Sequence, residues 1–186
     1  LLFGMLAMSL GLLWGFAGIV SFGQAAFFAL GAYALGLAMS HWGAAGSYLG
    51  LLGALLLGGA LAALAGYFLF SAGVRATYFV LVTLALSIIV EQIAVSQSQI
   101  TGGYNGLFID RLALSFGPLG RLELYEDSTA YYFILPIVAL TYFLLRWATT
   151  AMFGKVLVGI RENEDRLTAL GYDVSLYKTA AFALSG

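Results

Sequence analysis

From Leu1 to Val74 the sequence contains no Asp, Glu, Lys or Arg. A hydrocarbon layer about 30 Å thick takes roughly 20 apolar residues per helix, so this uncharged stretch has room for about three crossings. Across the 186 residues, 62% are hydrophobic and 9% charged, where a soluble domain has about 25% charged. A soluble fold of this size has no interior large enough for that much apolar surface. The bilayer is the solvent to which such a chain is fitted, so a multi-pass membrane protein is expected.

In lipid every backbone polar group must be satisfied within the protein, which leaves helices or a closed barrel. The apolar runs are too long and too little alternating for barrel strands. The expected fold is therefore all-α, a polytopic transmembrane helix bundle. Its spans are placed at Leu2–Ala17, Ala25–Ser40, Gly50–Phe70, Thr77–Ser98 and Ala130–Ala148, with a sixth starting near Thr179. The chain opens without a methionine and stops inside the new apolar run Thr179–Gly186. Residues 1–186 are accordingly read as one transmembrane domain cut at both ends, part of a larger protein. The span Ala25–Ser40 is short, about 24 Å of helix, and Gly15, Gly18 and Gly23 approach it around Ser21 and Gln24. Two forms fit that approach: a tight cytoplasmic turn, or a broken, partly re-entrant helix.

Orientation follows from the basic residues. Arg146, Lys155, Arg161, Arg166 and Lys178 flank or lie within residues 148–178, and Arg75 stands between the third and fourth spans. Arg111 and Arg121 share residues 100–129 with Asp110, Glu123, Glu126 and Asp127. Residues 148–178 are thus expected to be a cytoplasmic loop and residues 100–129 an external one. Counting back, His41–Leu49 lies outside and Gly18–Gln24 inside. Gly50, Ala54, Gly58, Ala62 and Gly66 recur at every fourth position, a groove of small side chains that lets another helix backbone come close.

Several function classes drop out. Net charge is −1 and no basic tract exists, so nothing points to nucleic acid. The sequence has no cysteine, which excludes disulfides, thiolate metal sites and cysteine catalysis. His41 is alone, and no metal site is expected. Gly154-Lys155 has Thr149 where a phosphate loop needs glycine, and Val156 where it needs a hydroxyl. No nucleophile–base pair is visible, so an enzyme is not expected.

Three segments are candidates for function. In the cytoplasmic loop Phe153, Val156, Leu157, Ile160, Leu167 and Leu170 fall on one helical face, and Lys155, Arg161, Glu162, Asp165 and Arg166 on others. Gly171 suits the position just past that helix, and Asp173 or Ser175 suits the cap of the next. Such a helix is either a connector on the membrane surface or a docking element for a cytoplasmic partner. Thr83, Ser87 and Glu91 form a polar stripe about 12 Å long in an apolar span. With Gln24 they are the translocation-path candidates; Glu91 either meets a substrate ammonium or a proton, or serves as an interhelical contact. Thr101, Gly102, Gly103, Asn105 and Gly106 read as a turn, since Gly-Gly and Asn-Gly supply positive φ cheaply.

Four blocks in order resemble a known family. They are Leu13-Trp14-Gly15-Phe16-Ala17-Gly18 with Ser21-Phe22-Gly23-Gln24-Ala25-Ala26-Phe27-Phe28 and Gly31-Ala32-Tyr33; Tyr78 with Thr83-Leu84 and Glu91; Thr101 to Gly106; and Phe153-Gly154-Lys155 through Ile160-Arg161-Glu162-Asn163-Glu164 to Ala169-Leu170-Gly171-Tyr172. Tyr177-Lys178 to Ser185-Gly186 follows as the start of the next span. Together they resemble ATP-binding-cassette importer permeases of the branched-chain amino acid type, to which urea permeases are close. One departure is Leu167, four residues before Gly171, where many importer permeases carry small residues.

The resemblance implies a permease subunit in the bacterial inner membrane that passes branched-chain or similar amino acids inward. It implies a second permease subunit, separate ATPase subunits that hold the ATP, and an external substrate-binding protein facing Thr101–Gly106. This chain itself would hold no cofactor. The implied ATPase-docking residues are Phe153, Gly154, Ile160, Arg161, Glu162, Asn163, Leu170 and Gly171. The alternatives are an importer of urea or short amides, and a gradient-driven carrier with Glu91 as its ion or proton site.

Overall fold

The computed structural model describes residues 1–74, 76–107, 113–115, 121–123 and 127–186. Arg75, Asp110, Arg111 and Glu126, used above to orient the chain, lie outside the described residues. Helix α1 (Leu2–Gly11) continues into a π-helical stretch, Leu12–Ala17, which ends on Gly18 in the left-handed region at φ 67. After a non-helical segment come α2 (Gln24–Gly43) and α3 (Gly46–Ser71), then α4 (Ala76–Ser96). A helical turn at Ser98–Thr101 and a 3-10 turn at Gly103–Asn105 follow. Strands β1 (Ala113–Ser115) and β2 (Arg121–Glu123) pair antiparallel, with Leu114 opposite Leu122. The chain closes with α5 (Asp127–Thr150), α6 (Met152–Glu162), α7 (Glu164–Ala169) and α8 (Val174–Ser185).

The result is a polytopic helical bundle, with one small hairpin in the 100–129 loop. Among the described residues four helices, α2 to α5, are long and apolar enough to cross a membrane, while the expected first span Leu2–Ala17 is apolar but shorter. Residues 41–49, expected as an external loop, are almost wholly helical. The α2–α3 run is interrupted only at Gly43, where φ 55 and ψ −137 reverse the chain. Glycine makes so short a hairpin possible twice over. Gly43 takes a conformation that L side chains avoid, and a Cβ at Gly46 would run into the Ala38 carbonyl.

The small-residue groove of α3 is filled along its length. Ala54 meets Gly31 of α2 at 3.6 Å from the position a Cβ there would take. Further along, Gly58 faces the Gly186 carbonyl, and Gly66 faces Phe182 and Thr179 of α8. One half of the groove thus receives α2 and the other α8. Aromatic rings close the centre: Phe70 stacks on Phe79 at 4.8 Å, and Phe182 meets Phe79 edge-on at 5.2 Å and Phe27 at 5.5 Å. Both Phe79 and Phe182 are completely buried.

The 148–178 loop departs from the single helix expected over Phe153–Leu170. It breaks at Asn163, whose backbone is extended at φ −160, ψ 99. Asn163 Oδ1 accepts the Arg166 N–H at 2.9 Å and so caps α7. Gly171, at φ 88, turns the chain out of α7, and the Asp173 carboxylate caps α8 by accepting the Leu176 N–H at 3.1 Å. That helix starts at Val174, five residues before the apolar run by which the sixth span was placed, and of the two cap candidates Asp173 is the one used. Val156, Leu157 and Ile160 of α6 join the central cluster, each burial worth roughly 1.5–3 kcal/mol against exposure to water.

Candidate functional site

The break between the π-helical stretch and α2 is the least regular backbone in the bundle, and its fixings come from elsewhere in the chain. Ser21 Oγ accepts the Gly23 N–H at 3.1 Å. The Phe22 N–H donates to Thr83 Oγ1 at 3.2 Å, and Ser87 Oγ donates to the Phe22 carbonyl at 2.7 Å. Thr83 passes its own proton to the Val80 carbonyl at 3.0 Å. Two hydroxyls one turn apart on α4 therefore hold both backbone polar groups of one non-helical residue. Thr83 is seven residues into α4, about 10 Å from its start. Non-helical backbone at that depth is tolerated where protein groups satisfy it. The helix stops at Ala17 and resumes at Gln24, and the non-helical residues between them are held by hydroxyls of α4.

Gln24 opens α2 from the other side of the break. Its Nε2 donates to Ser185 Oγ at 2.6 Å, and Ser185 Oγ donates to the Ser9 carbonyl at 3.0 Å. Ser185 lies eleven residues into α8, about 16 Å from its start. Gln24 is 4% exposed, and its Oε1 has no hydrogen-bond partner among the described residues. Gln24, Thr83 and Ser87, three of the four path candidates, thus converge on the Gly18–Gln24 segment. Glu91 does not reach it. It lies one turn beyond Ser87, exposed, with no hydrogen bond or ion pair among the described residues.

The docking candidates divide into two groups. Gly154 and Ile160 are buried within this chain, so neither offers a surface to a partner. Gly154 is fixed by the tight passage from α5 into α6, where a Cβ would strike the Thr149 backbone. Phe153 is half-buried and stacks on Tyr177 at 6.0 Å. Arg161, Glu162, Asn163, Leu170 and Gly171 are exposed, and Leu170 is 69% so. Around α7, Glu164 pairs with Lys178 at 2.5 Å. Gly73, Val74, Glu164, Asp165, Ser175 and Lys178 line a cavity of about 380 Å³. The α3–α4 turn therefore sits at the same end of the bundle as α7 and the basic residues of the loop.

The turn at the far end of α4 has the conformation expected of it. Gly102, Gly103 and Gly106 take φ 75, 58 and 74. Thr101 Oγ1 donates to the Ala94 and Gln97 carbonyls and accepts the Gly103 N–H at 3.3 Å. Tyr104 projects at 91% exposure, and Asn105 is exposed beside it.

Sequence reasoning missed Ser9, Ser21, Thr179 and Ser185 as members of the polar interior. Their signal was present, since hydroxyls in apolar spans require partners. It also missed the partner of Arg161, whose Nη1 donates to the Gly15 carbonyl at 2.6 Å across 146 positions. No sequence signal identifies that pairing.

The family described as branched-chain amino acid transport system / permease component matches residues 1–186. The high-affinity branched-chain amino acid transport system permease protein LivM of Escherichia coli (strain K12) is 26% identical over 206 residues, covering 97% of this chain and 46% of that protein. The probable branched-chain amino acid transport permease protein LivM of Methanocaldococcus jannaschii is 28% identical over 215 residues, covering 98% of this chain and 60% of that protein. This chain spans about half the length of these curated relatives. No solved structure matches it.

Proposed function

The chain belongs to the branched-chain amino acid transport permease family, and we propose that it is the membrane-spanning part of an ATP-driven importer passing branched-chain or similar amino acids inward. The observation that carries this reading is the hydroxyl-held break at Gly18–Gln24. A polar solute crossing a bundle needs polar groups at membrane depth, and here they gather at one irregular segment rather than along a regular helix. In this reading ATP is hydrolysed on a separate subunit, and the permease does no bond chemistry. It shifts between inward-open and outward-open arrangements, and the docked ATPase stabilises one over the other.

The exposed surface of α7 with Leu170 is the proposed ATPase contact. It lies at the end where the loop's basic residues gather, the side the charge rule favours for the cytoplasm, and the family supports a bacterial inner membrane as its setting. Glu91 supports a pathway or subunit-facing role for its side of α4. An ionised carboxylate facing lipid is costly, so that face is proposed to be covered by a second permease subunit or by the solute path. The Thr101–Gly106 turn, with Tyr104 projecting, is the proposed contact for an external binding protein.

The test is to purify the full-length permease from its host membrane and identify the proteins that come with it. Uptake of radiolabelled leucine and of urea is then measured in liposomes containing that assembly. Recovery of an ATPase with ATP-dependent leucine uptake supports the reading. Uptake driven by a proton or sodium gradient with no ATPase present overturns it.

A further inference from the structure

We infer that Arg161 is the positioning residue through which the cytoplasmic helix pair α6–α7 holds the unwound segment; this rests on the importer reading above. A helix that stops at Ala17 leaves its last carbonyls without intrahelical partners and a partial negative charge at that end. Arg161 supplies both missing terms from another part of the chain. Its Nη1 donates to the Gly15 carbonyl at 2.6 Å, and the guanidinium brings a positive charge to the negative end. Its aliphatic stem lies over Gly18, where a Cβ would come within 2.5 Å of Arg161 Cγ and 3.3 Å of its Cβ. Gly18 is also the left-handed residue at which the helix ends. The stem, the cation and the glycine together fix where the helix stops and the non-helical segment begins.

Arg161 stands two residues before Asn163, the extended hinge that caps α7. On the other side, Gly18 stands four residues before Phe22, which Thr83 and Ser87 hold. A displacement of α7 is therefore felt at Arg161, at the helix end, and then at the segment carrying the polar groups. A second fastening runs in parallel. Glu164 at the start of α7 pairs with Lys178 of α8 at 2.5 Å, and Ser185 near the end of α8 takes the Gln24 amide. The Gly18–Gln24 segment is thereby tied at one end to the close of α6, two residues before the Asn163 break, and at the other to α8, which Glu164 of α7 holds through Lys178; Arg161 makes the shorter of the two ties.

The experiment uses the full-length permease with its co-purifying ATPase in liposomes, reading solute taken up per ATP hydrolysed for Arg161→Ala, Arg161→Lys and Gly18→Ala. Gly18→Ala, which lies outside the docking candidates, should retain the ATPase and most of its hydrolysis, and Arg161→Ala is compared with it at equal bound ATPase. Uptake per ATP should fall about tenfold, the scale of one charge-assisted hydrogen bond lost from a two-state balance. Arg161→Lys, which keeps the cation but not the planar fork, should recover part of the loss. An unchanged ratio overturns the inference. So does a parallel fall in uptake and in bound ATPase, because Arg161 would then merely support the docking surface. A second readout needs no ATPase: in a Phe22→Cys background, Arg161→Ala should raise the alkylation rate at position 22 severalfold. Equal rates overturn the inference even if the importer reading stands, and a faster rate supports it even if no ATPase is found.

Discussion

Thr83→Val removes one hydroxyl from a completely buried site while keeping the side-chain shape. The Val80 carbonyl loses an extra donor but is already placed in the helix ladder. The Phe22 N–H, in non-helical backbone, loses its one hydrogen bond. A buried donor left unpaired costs about 1–3 kcal/mol, whereas polar contacts inside membrane bundles average about 0.6 and reach about 1.7. The 3.2 Å separation is at the long end of the normal range, so a loss of about 1 kcal/mol is expected. Ser87→Ala breaks a shorter bond, 2.7 Å, to the carbonyl of the same residue, and a similar loss follows. Both bonds hold Phe22, so releasing one lowers the value of the other, and the double variant should cost less than the sum by about 0.5 kcal/mol or more. Thr83→Ser keeps the hydroxyl and serves as the control. The measurement is unfolding of purified permease in mixed micelles on titration with sodium dodecyl sulfate, followed by tryptophan fluorescence. If Thr83→Val unfolds at the same point as wild type, the segment is not held by α4 and the reasoning fails.

Ile160→Glu places an unpaired charge in the central cluster, where Ile160 is 4% exposed, and should cost more than about 3 kcal/mol; the yield of folded protein in membranes checks this. Leu170→Ala, at an exposed position, should change stability by less than about 0.5 kcal/mol yet lower the ATPase recovered on purification, and undiminished recovery would remove α7 from the docking surface. With an impermeant thiol reagent, Tyr104→Cys should label in intact cells and Thr168→Cys only after permeabilisation; the opposite pattern inverts the topology. Glu91→Gln keeps the shape and loses the charge, so assembly should persist while leucine uptake falls severalfold. Identical uptake by the two forms would return Glu91 to a purely structural part.

What was legible in the sequence is what local chemistry decides. The uncharged stretch to Val74 and the stripe from Gly50 to Gly66 depend on residue type and spacing alone; the stripe packs as the groove expected, while two of the three crossings expected in the stretch are long enough to span. Gly171 and Asp173 terminate and start helices through atoms within a few residues of themselves. The break at Gly18–Gln24 was half legible. Glycines around Ser21 announce irregular backbone, but a surface turn and a re-entrant segment differ only in what surrounds them. Here the hydroxyls that hold it lie 61 and 65 positions away.

The 148–178 loop shows a different limit. Helical periodicity grouped Val156, Leu157, Ile160 and Leu170 on one face, and it cannot say whether an apolar face meets its own bundle or a partner. The answer turns on Asn163, a residue that reads as polar surface until its extended backbone and capping side chain are seen. Because the helix stops there, α7 is not bound to continue the face of α6. Ile160 remains in the core, and Leu170 emerges beyond the break, exposed. In the proposed function a partner would cover this exposed leucine at the close of α7, whose first residue, Glu164, is ion-paired to Lys178, so the proposed docking surface follows α7 and not the buried face of α6.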